Sequence, residues 1–196
     1  MIKLCAKKIT LFLISNKQIE KNDFEMYIYA YETLLAFMVN ITAILTIAYI
    51  FERFTYTLWF LCWYCPIRQY AGGYHANDYR RCLLAFLLIY LLNILILETL
   101  IYFNLSYLII LVTVFSFIGI WFLAPVEHRN NPLSFNEINQ YRKVVRYIVS
   151  IGFISTLIGI RFELTYKYAL YLASVLVCVF TMLVLAIIKE RKILNL

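Results

Sequence analysis

The sequence predicts an all-α integral membrane protein, a six-helix bundle preceded by an amphipathic helix. Three observations carry that expectation. Of 196 residues, 64% are hydrophobic and only 15% are charged, and the mean hydropathy is +0.79; soluble domains are far more polar. The apolar residues gather in six runs, most of them long enough to cross a bilayer as a helix. The basic residues concentrate between those runs, so the net charge of +7 reads as membrane topology and not as nucleic-acid binding.

Residues 1–27 interleave Lys3, Lys7, Lys8, Lys17 and Lys21 with Leu4, Ile9, Leu11, Phe12, Leu13 and Ile14. The apolar run is too short to span and no small-residue cleavage site follows it. A cationic helix lying on lipid at the inner membrane surface is expected, with a frayed basic tail as the alternative. The first span covers residues 28–50, with Glu32 near its start and Asn40 in its middle. A carboxylate at the rim of a membrane helix is a functional candidate. Glu32 is placed to orient a histidine or bind an arginine, or simply reaches the headgroups.

Phe51, Glu52 and Arg53 make a tight connection to a shorter apolar run, residues 54–67, which Pro66 is expected to end. It is short against the ~20 residues a crossing helix needs, so it crosses with help from its neighbours or re-enters. Residues 83–103 form a full span containing Asn93 and Glu98. Asn104 marks a minimal turn, and residues 105–123 form the fourth span. A polar interval, 124–146, leads to the fifth span at 144–160, and residues 161–167 connect to the sixth at 168–188. No repeat, linker or low-complexity tract divides the chain, so one domain over 1–196 is expected. With six crossings and the N-terminus inside, fifteen of the eighteen Lys and Arg face the cytoplasm. That asymmetry places both termini and both long polar loops on the cytoplasmic side.

The first of those loops, residues 68–82, reads RQYAGGYHANDYRRC. It holds one of two histidines, His75, and Cys82 seven residues later. A thiol and an imidazole at a membrane edge point to a cysteine nucleophile with its base. On one unbroken helix the two would lie about 10.5 Å apart along the axis, whereas a hydrogen bond needs ~3 Å. They meet only if the helix breaks between them or if they come from two copies of the protein. Gly72 and Gly73 permit a sharp turn before His75. Asn77 and Asp78 are good N-cap residues. A helix capped by Asp78 would put Cys82 in its first turns beside Arg80 and Arg81, where dipole and cations favour a thiolate. The alternative is a short basic loop with an incidental His and a buried Cys.

Arg68, the Ala71-Gly72-Gly73 run, His75-Ala76 and Cys82 together resemble the signature of the AgrB (accessory gene regulator B) family, membrane cysteine endopeptidases of Gram-positive quorum sensing. The run APVEHRNNPL, residues 124–133, is similar to the family's second cytoplasmic loop. The resemblance implies His75 and Cys82 as catalytic residues, with Arg68, Gly72 and Gly73 supporting substrate or oxyanion; Glu32 joins the supporting candidates from its place at the rim of the first span. It implies an AgrD-like propeptide as substrate, whose acidic tail is removed and whose remainder is closed into a thiolactone or lactone ring. It also implies a homodimer in the cell membrane.

Other constellations carry less. Cys62 and Cys65 form CWYC in an apolar, aromatic run, where burial raises a thiol's pKa and packing is the expected role. His75, Cys82 and this pair would supply four zinc ligands, but not at the spacing of a known finger, and no metal or cofactor is expected. The five cysteines are expected to be free thiols. His128 is a second possible base. Glu32, Asn40, Asn93 and Glu98 leave open a different class of function, a small transporter or channel with polar residues lining a path.

Overall fold

The computed structural model describes residues 2–72, 79–126 and 134–194, with side chains for all of these except 79–82 and 190–194. Among the described residues the chain is helical throughout: α1 (Ile2–Ser15), a 3-10 turn (Lys21–Asp23), α2 (Phe24–Ile50), α3 (Phe54–Ala71), α4 (Tyr79–Tyr102), α5 (Ser106–Leu123), α6 (Phe135–Gly159) and α7 (Glu163–Leu194). Six helices thus follow the N-terminal one. Among the described residues four segments are long and apolar enough to cross a membrane: Lys21–Ile50, Leu83–Tyr102, Ser106–Leu123 and Glu163–Lys189. α3 and α6 fall outside that set. α3 is diluted by Thr, Tyr, Trp, Arg and Gln, and α6 opens with FNEINQYRK.

The residues form two compact units, Met1–Ile47 and Ala48–Leu196. In the first, α1 exposes Lys3, Lys7 and Lys8 together with Leu4, Leu11 and Phe12, and buries Ala6 and Thr10. The Thr10 hydroxyl donates to the Ala6 carbonyl at 3.0 Å. Most of α2 belongs to this unit and presents Met26, Tyr29, Leu34, Phe37 and Met38 outward.

In the second unit α7 is the hub. It packs against α3, α4, α5 and α6, and from Ala169 to Leu176 every residue is buried. A helix apolar all round is a core helix. Small residues let its neighbours approach: Gly119 lies against the Phe180 ring and Gly159 against Ala169. The outer faces of α4 and α5 remain apolar and exposed, at Leu84, Leu88, Leu92, Leu111 and Phe115 among others, as a lipid-facing surface requires.

Three connections share one geometry. The backbone reverses at Lys17, Glu52 and Asn104, with φ of 55°, 56° and 57°. Each closes its helix with paired hydrogen bonds, such as Arg53 N to Ala48 O at 2.8 Å and Glu52 N to Tyr49 O at 3.1 Å. This is the Schellman arrangement, without its usual glycine. The turn expected at Asn104 is one of them.

Three expectations need correction. Pro66 does not end its helix: α3 runs through it to Ala71. A proline removes one helical hydrogen bond, here at the Cys62 carbonyl, and packed membrane helices tolerate that loss. At 18 residues α3 is about 27 Å long, near the bilayer core thickness. Secondly, α6 starts at Phe135, so the later part of the 124–146 interval is helix and not loop. Its start is a capping box: Glu137 N–H donates to the Ser134 hydroxyl oxygen at 3.4 Å, and Ser134 N–H donates to the Glu137 carboxylate at 2.8 Å. Thirdly, α7 begins at Glu163, which shortens the last connection to Ile160–Phe162.

Candidate functional site

The last turn of α3 carries Arg68 toward the loop. Its guanidinium donates to the Gly72 carbonyl, folding the side chain over the end of its own helix. Gly72 then takes φ 71° and ψ −152°, a conformation open essentially to glycine alone. This lets the chain lie beside the root of the second loop. Val126 N–H donates to the Ala71 carbonyl at 3.0 Å, and Gly72 and Val126 form an isolated parallel bridge. A Cβ on Gly72 would sit 2.1 Å from the Val126 carbonyl oxygen. The two polar intervals are therefore joined backbone to backbone at their roots.

Side chains extend the junction. Tyr70 meets Tyr141 of α6 edge-on at 5.3 Å. Arg146 lies over the Trp121 ring at 5.0 Å and donates from Nε to the Trp121 carbonyl at 3.3 Å. The Ser134 hydroxyl, then its backbone N–H, hold the Glu137 carboxyl below its usual range, so it stays ionised at the N-terminus of α6. On the α4 side, Tyr64 stacks on Phe86 at 5.0 Å.

α4 starts at Tyr79, the residue after Asp78, which is where the sequence places a helix start. Cys82 is the fourth residue of α4, in its first turn. His75, Gly73, Asn77, Asp78 and His128 lie outside the described residues. Glu32 sits half-buried on α2, in the first unit. The structure thus brings Arg68 and Gly72 together and sets Cys82 at a helix N-terminus. Sequence reasoning missed Val126, Tyr64 and Phe86. An Arg followed by a Gly-Gly pair marks a special turn, but no local pattern in the chain names its distant partner.

Other candidates are held elsewhere. At the opposite end of the α3–α7 bundle, Arg53 makes a two-pronged ion pair with Glu98, Nε to Oε1 at 2.8 Å and Nη2 to Oε2 at 3.1 Å. The Tyr171 hydroxyl donates to the same carboxylate at 2.9 Å. Asn93 Nδ2 donates to the Ser174 hydroxyl at 3.1 Å. Two polar residues considered for a transport path are therefore engaged in holding α4 to α7 and to the α2–α3 connection. The Asn40 Oδ1 atom, in α2, is buried without a partner among the described residues. Cys62 is exposed and Cys65 half-buried on α3, and with Cys5 and Cys178 they are free thiols. Among the described residues no three His, Cys, Asp or Glu side chains converge as a metal site would require.

A family profile described as accessory gene regulator B matches residues 6–187. The chain belongs to the accessory gene regulator B (AgrB) family. The matched region contains both loop roots, α2 through α6 entirely, and α7 as far as residue 187. The AgrB match is therefore one of the whole helical plan and not of the loop motif alone. No curated protein and no solved structure matches the chain.

Proposed function

We propose that this protein is a membrane cysteine endopeptidase that removes the C-terminal tail of an AgrD-like propeptide and closes the remaining peptide into a thiolactone or lactone ring. Family membership across residues 6–187 is the observation that carries the reading. The start of α4 at Tyr79 supports it, because Cys82 in a first helical turn beside Arg80 and Arg81 is in a setting that favours a thiolate.

In this mechanism His75 takes the proton of Cys82. The thiolate attacks the carbonyl at the tail junction, and backbone amides near the start of α4, with Arg68 alongside, stabilise the oxyanion. His75 returns its proton to the departing amine as the C–N bond breaks, leaving an acyl-enzyme thioester. The propeptide's own thiol or hydroxyl attacks that thioester, the ring closes, and Cys82 is released. For a thiol the second step exchanges thioester for thioester, so it is close to neutral apart from ring strain. Water must be excluded or hydrolysis wins. A site at the membrane rim, fed by a membrane-bound leader, meets that need. Arg68, Gly72, Gly73 and Glu32 take supporting roles, and the basic loops attract an acidic tail.

On this reading the whole chain, 1–196, acts as one multi-pass domain with six crossings. The loops and both termini are cytoplasmic, α1 rests on lipid, and the working unit is a homodimer. The test uses a propeptide whose ring-forming Cys or Ser is replaced by Ala. It should lose its tail and stay attached to Cys82 as an adduct released by hydroxylamine. Cys62→Ser and Cys65→Ser should still form the adduct and Cys82→Ala should not. An adduct on Cys62 or Cys65, or tail removal by Cys82→Ala, refutes the assignment; a transporter would tolerate Cys82→Ala. In the same assay, cleavage restored by co-expressing His75→Ala with Cys82→Ala marks a pair formed between protomers, and no restoration marks one within a protomer.

A further inference from the structure

The ends of α3 and α5 and the start of α6 are joined in a closed circuit. Tyr70 of α3 meets Tyr141 of α6. The neighbouring Ala71 carbonyl accepts from Val126 N–H. From Val126 the chain runs back into α5, where Trp121 is held by Arg146, again of α6. The reason for this last link lies in Pro125. Ala124 N–H closes the last turn of α5 on the Ile120 carbonyl at 3.0 Å. The next carbonyl, that of Trp121, would take the N–H of residue 125, and a proline has none. Arg146 Nε fills that place at 3.3 Å, and its guanidinium carbon lies 5.0 Å over the Trp121 ring. The cation also faces the negative end of the α5 dipole. Deeper in the same interface Phe153 of α6 stacks on Phe117 of α5 at 4.6 Å and 22°, so the two helices are in register where Arg146 reaches across. Past Ala124, which is extended at ψ 145°, the chain leaves the helix. The Val126 N–H, which a continuing helix would give to Phe122, is thereby free to bond Ala71.

We propose that Arg146 is a positioning residue of the site. Its Nε takes over the bond that Pro125 cannot make and fixes the exit of α5. That sets the place from which Val126 reaches the Ala71 carbonyl beside Gly72, and so holds the root of the first loop. Arg146 acts through the second loop's root and touches no reacting atom. Its effect on tail removal rests on the catalytic reading above; its effect on the junction does not. The geometry has a specific consequence: the donor at the Nε position matters more than the charge. A glutamine carries its amide nitrogen on the same side-chain carbon as Arg carries Nε, so it keeps the donor and loses the cation.

The experiment takes two readouts from the full chain in detergent: hydrogen exchange of the Val126 amide, and tail removal with turnover at saturating propeptide and KM measured separately. Arg146→Met keeps an apolar stem and loses donor and charge. The Val126 amide should then exchange about tenfold faster, as loss of a hydrogen bond from a charged group implies. The amides of the buried stretch Ala169–Leu176 on α7 should keep their parental rates. Turnover should fall by a similar factor, with KM near that of the parent. Arg146→Gln should stay within about threefold of the parent in both readouts, having lost only the cation over the ring. In a Gly72→Ala background, where the junction is open, Arg146→Met should cost nothing further. Parental exchange at Val126 in Arg146→Met overturns the proposal. Equal acceleration at Val126 and along α7 also overturns it, because that marks a general loss of stability. An Arg146→Gln variant as impaired as Arg146→Met assigns the effect to the charge and overturns the role of Nε. Losses from Arg146→Met and Gly72→Ala that simply multiply break the link to the junction. Cys82→Ala run in parallel separates the two claims. If Cys82→Ala is inactive while Arg146→Met keeps full turnover, this inference fails alone. If Cys82→Ala still removes the tail, the catalytic assignment itself fails, and exchange at Val126 still decides the role of Arg146 at the junction.

Discussion

Replacing Gly72 by Ala strikes the junction of the two loops with an effect that is read directly from the backbone. At φ 71° and ψ −152° an L side chain is strained by about 1–3 kcal/mol. The new Cβ would stand 2.1 Å from the Val126 carbonyl oxygen, 3.1 Å from its carbon and 3.3 Å from its nitrogen. A carbon and a carbonyl oxygen rest no closer than about 3.3 Å, so the Val126 backbone must retreat by about 1.2 Å. The obstacle is backbone, which cannot swing aside as a side-chain tip does. The hydrogen bond from Val126 N–H to the Ala71 carbonyl, 3.0 Å, is then lost, at about 1 kcal/mol. Together these terms come to about 2–4 kcal/mol, enough to lower the rate of tail removal tenfold or more if the closed junction is the competent form. The α3–α7 packing does not depend on Gly72, so the protein should still accumulate in membranes. Gly152→Ala is the internal control. Its Cβ meets the Trp63 ring at 3.5 Å, an ordinary contact, within a helix that prefers Ala by about 1 kcal/mol. The assay compares tail removal per unit of membrane protein, with melting in detergent alongside. Parental rate and parental melting in Gly72→Ala would refute the reasoning.

Two further outcomes are expected. Glu98→Gln removes the charge that Arg53 faces at the opposite end of the bundle; with both side chains about a third exposed, the cost is about 1 kcal/mol. That should appear as a drop of a few degrees in melting temperature with propeptide cleavage intact. Lost cleavage at unchanged melting would instead give Glu98 a part in the reaction or in transport. Single cysteines introduced at residues 68–81 and 124–146 should react only with membrane-permeant reagents in intact cells; ready labelling from outside would reverse the topology and move the proposed site with it.

The hydrophobic plan was legible because a membrane imposes it: every span had to be a helix, and the four most apolar were found within a few residues of their ends. What failed were boundaries set by local chemistry. Pro66 was read as a stop because its missing N–H outweighs all else in water, whereas the actual stop is Gly72, the first position that needs a positive φ. The start of α6 was written in the sequence as Ser134-Phe135-Asn136-Glu137, a capping box hidden inside a polar run that reads as loop. Arg68, Gly72 and the helix start before Cys82 were legible from residue type alone. Tyr64, Phe86 and Val126 were not. Their importance lies in contacts between helices, and seventeen tyrosines and fifteen phenylalanines offer no way to choose among rings by composition.

The burial of α7 has a consequence for how the protein is made. Ribosomes deliver α3, α4, α5 and α6 to the membrane before the helix on which all four pack. Until Ala169–Ala186 arrives, faces that end up sealed, such as Ile109, Thr113, Ser116 and Ile120 on α5, lack the helix they pack on most extensively. The earlier helices meet one another only in part, α3 with α6 and α5 with α4 and α6, and the bundle is completed around a latecomer. Assembly, and with it any activity that depends on the spacing of α3 and α4, is completed by the last helix of the bundle to be synthesised.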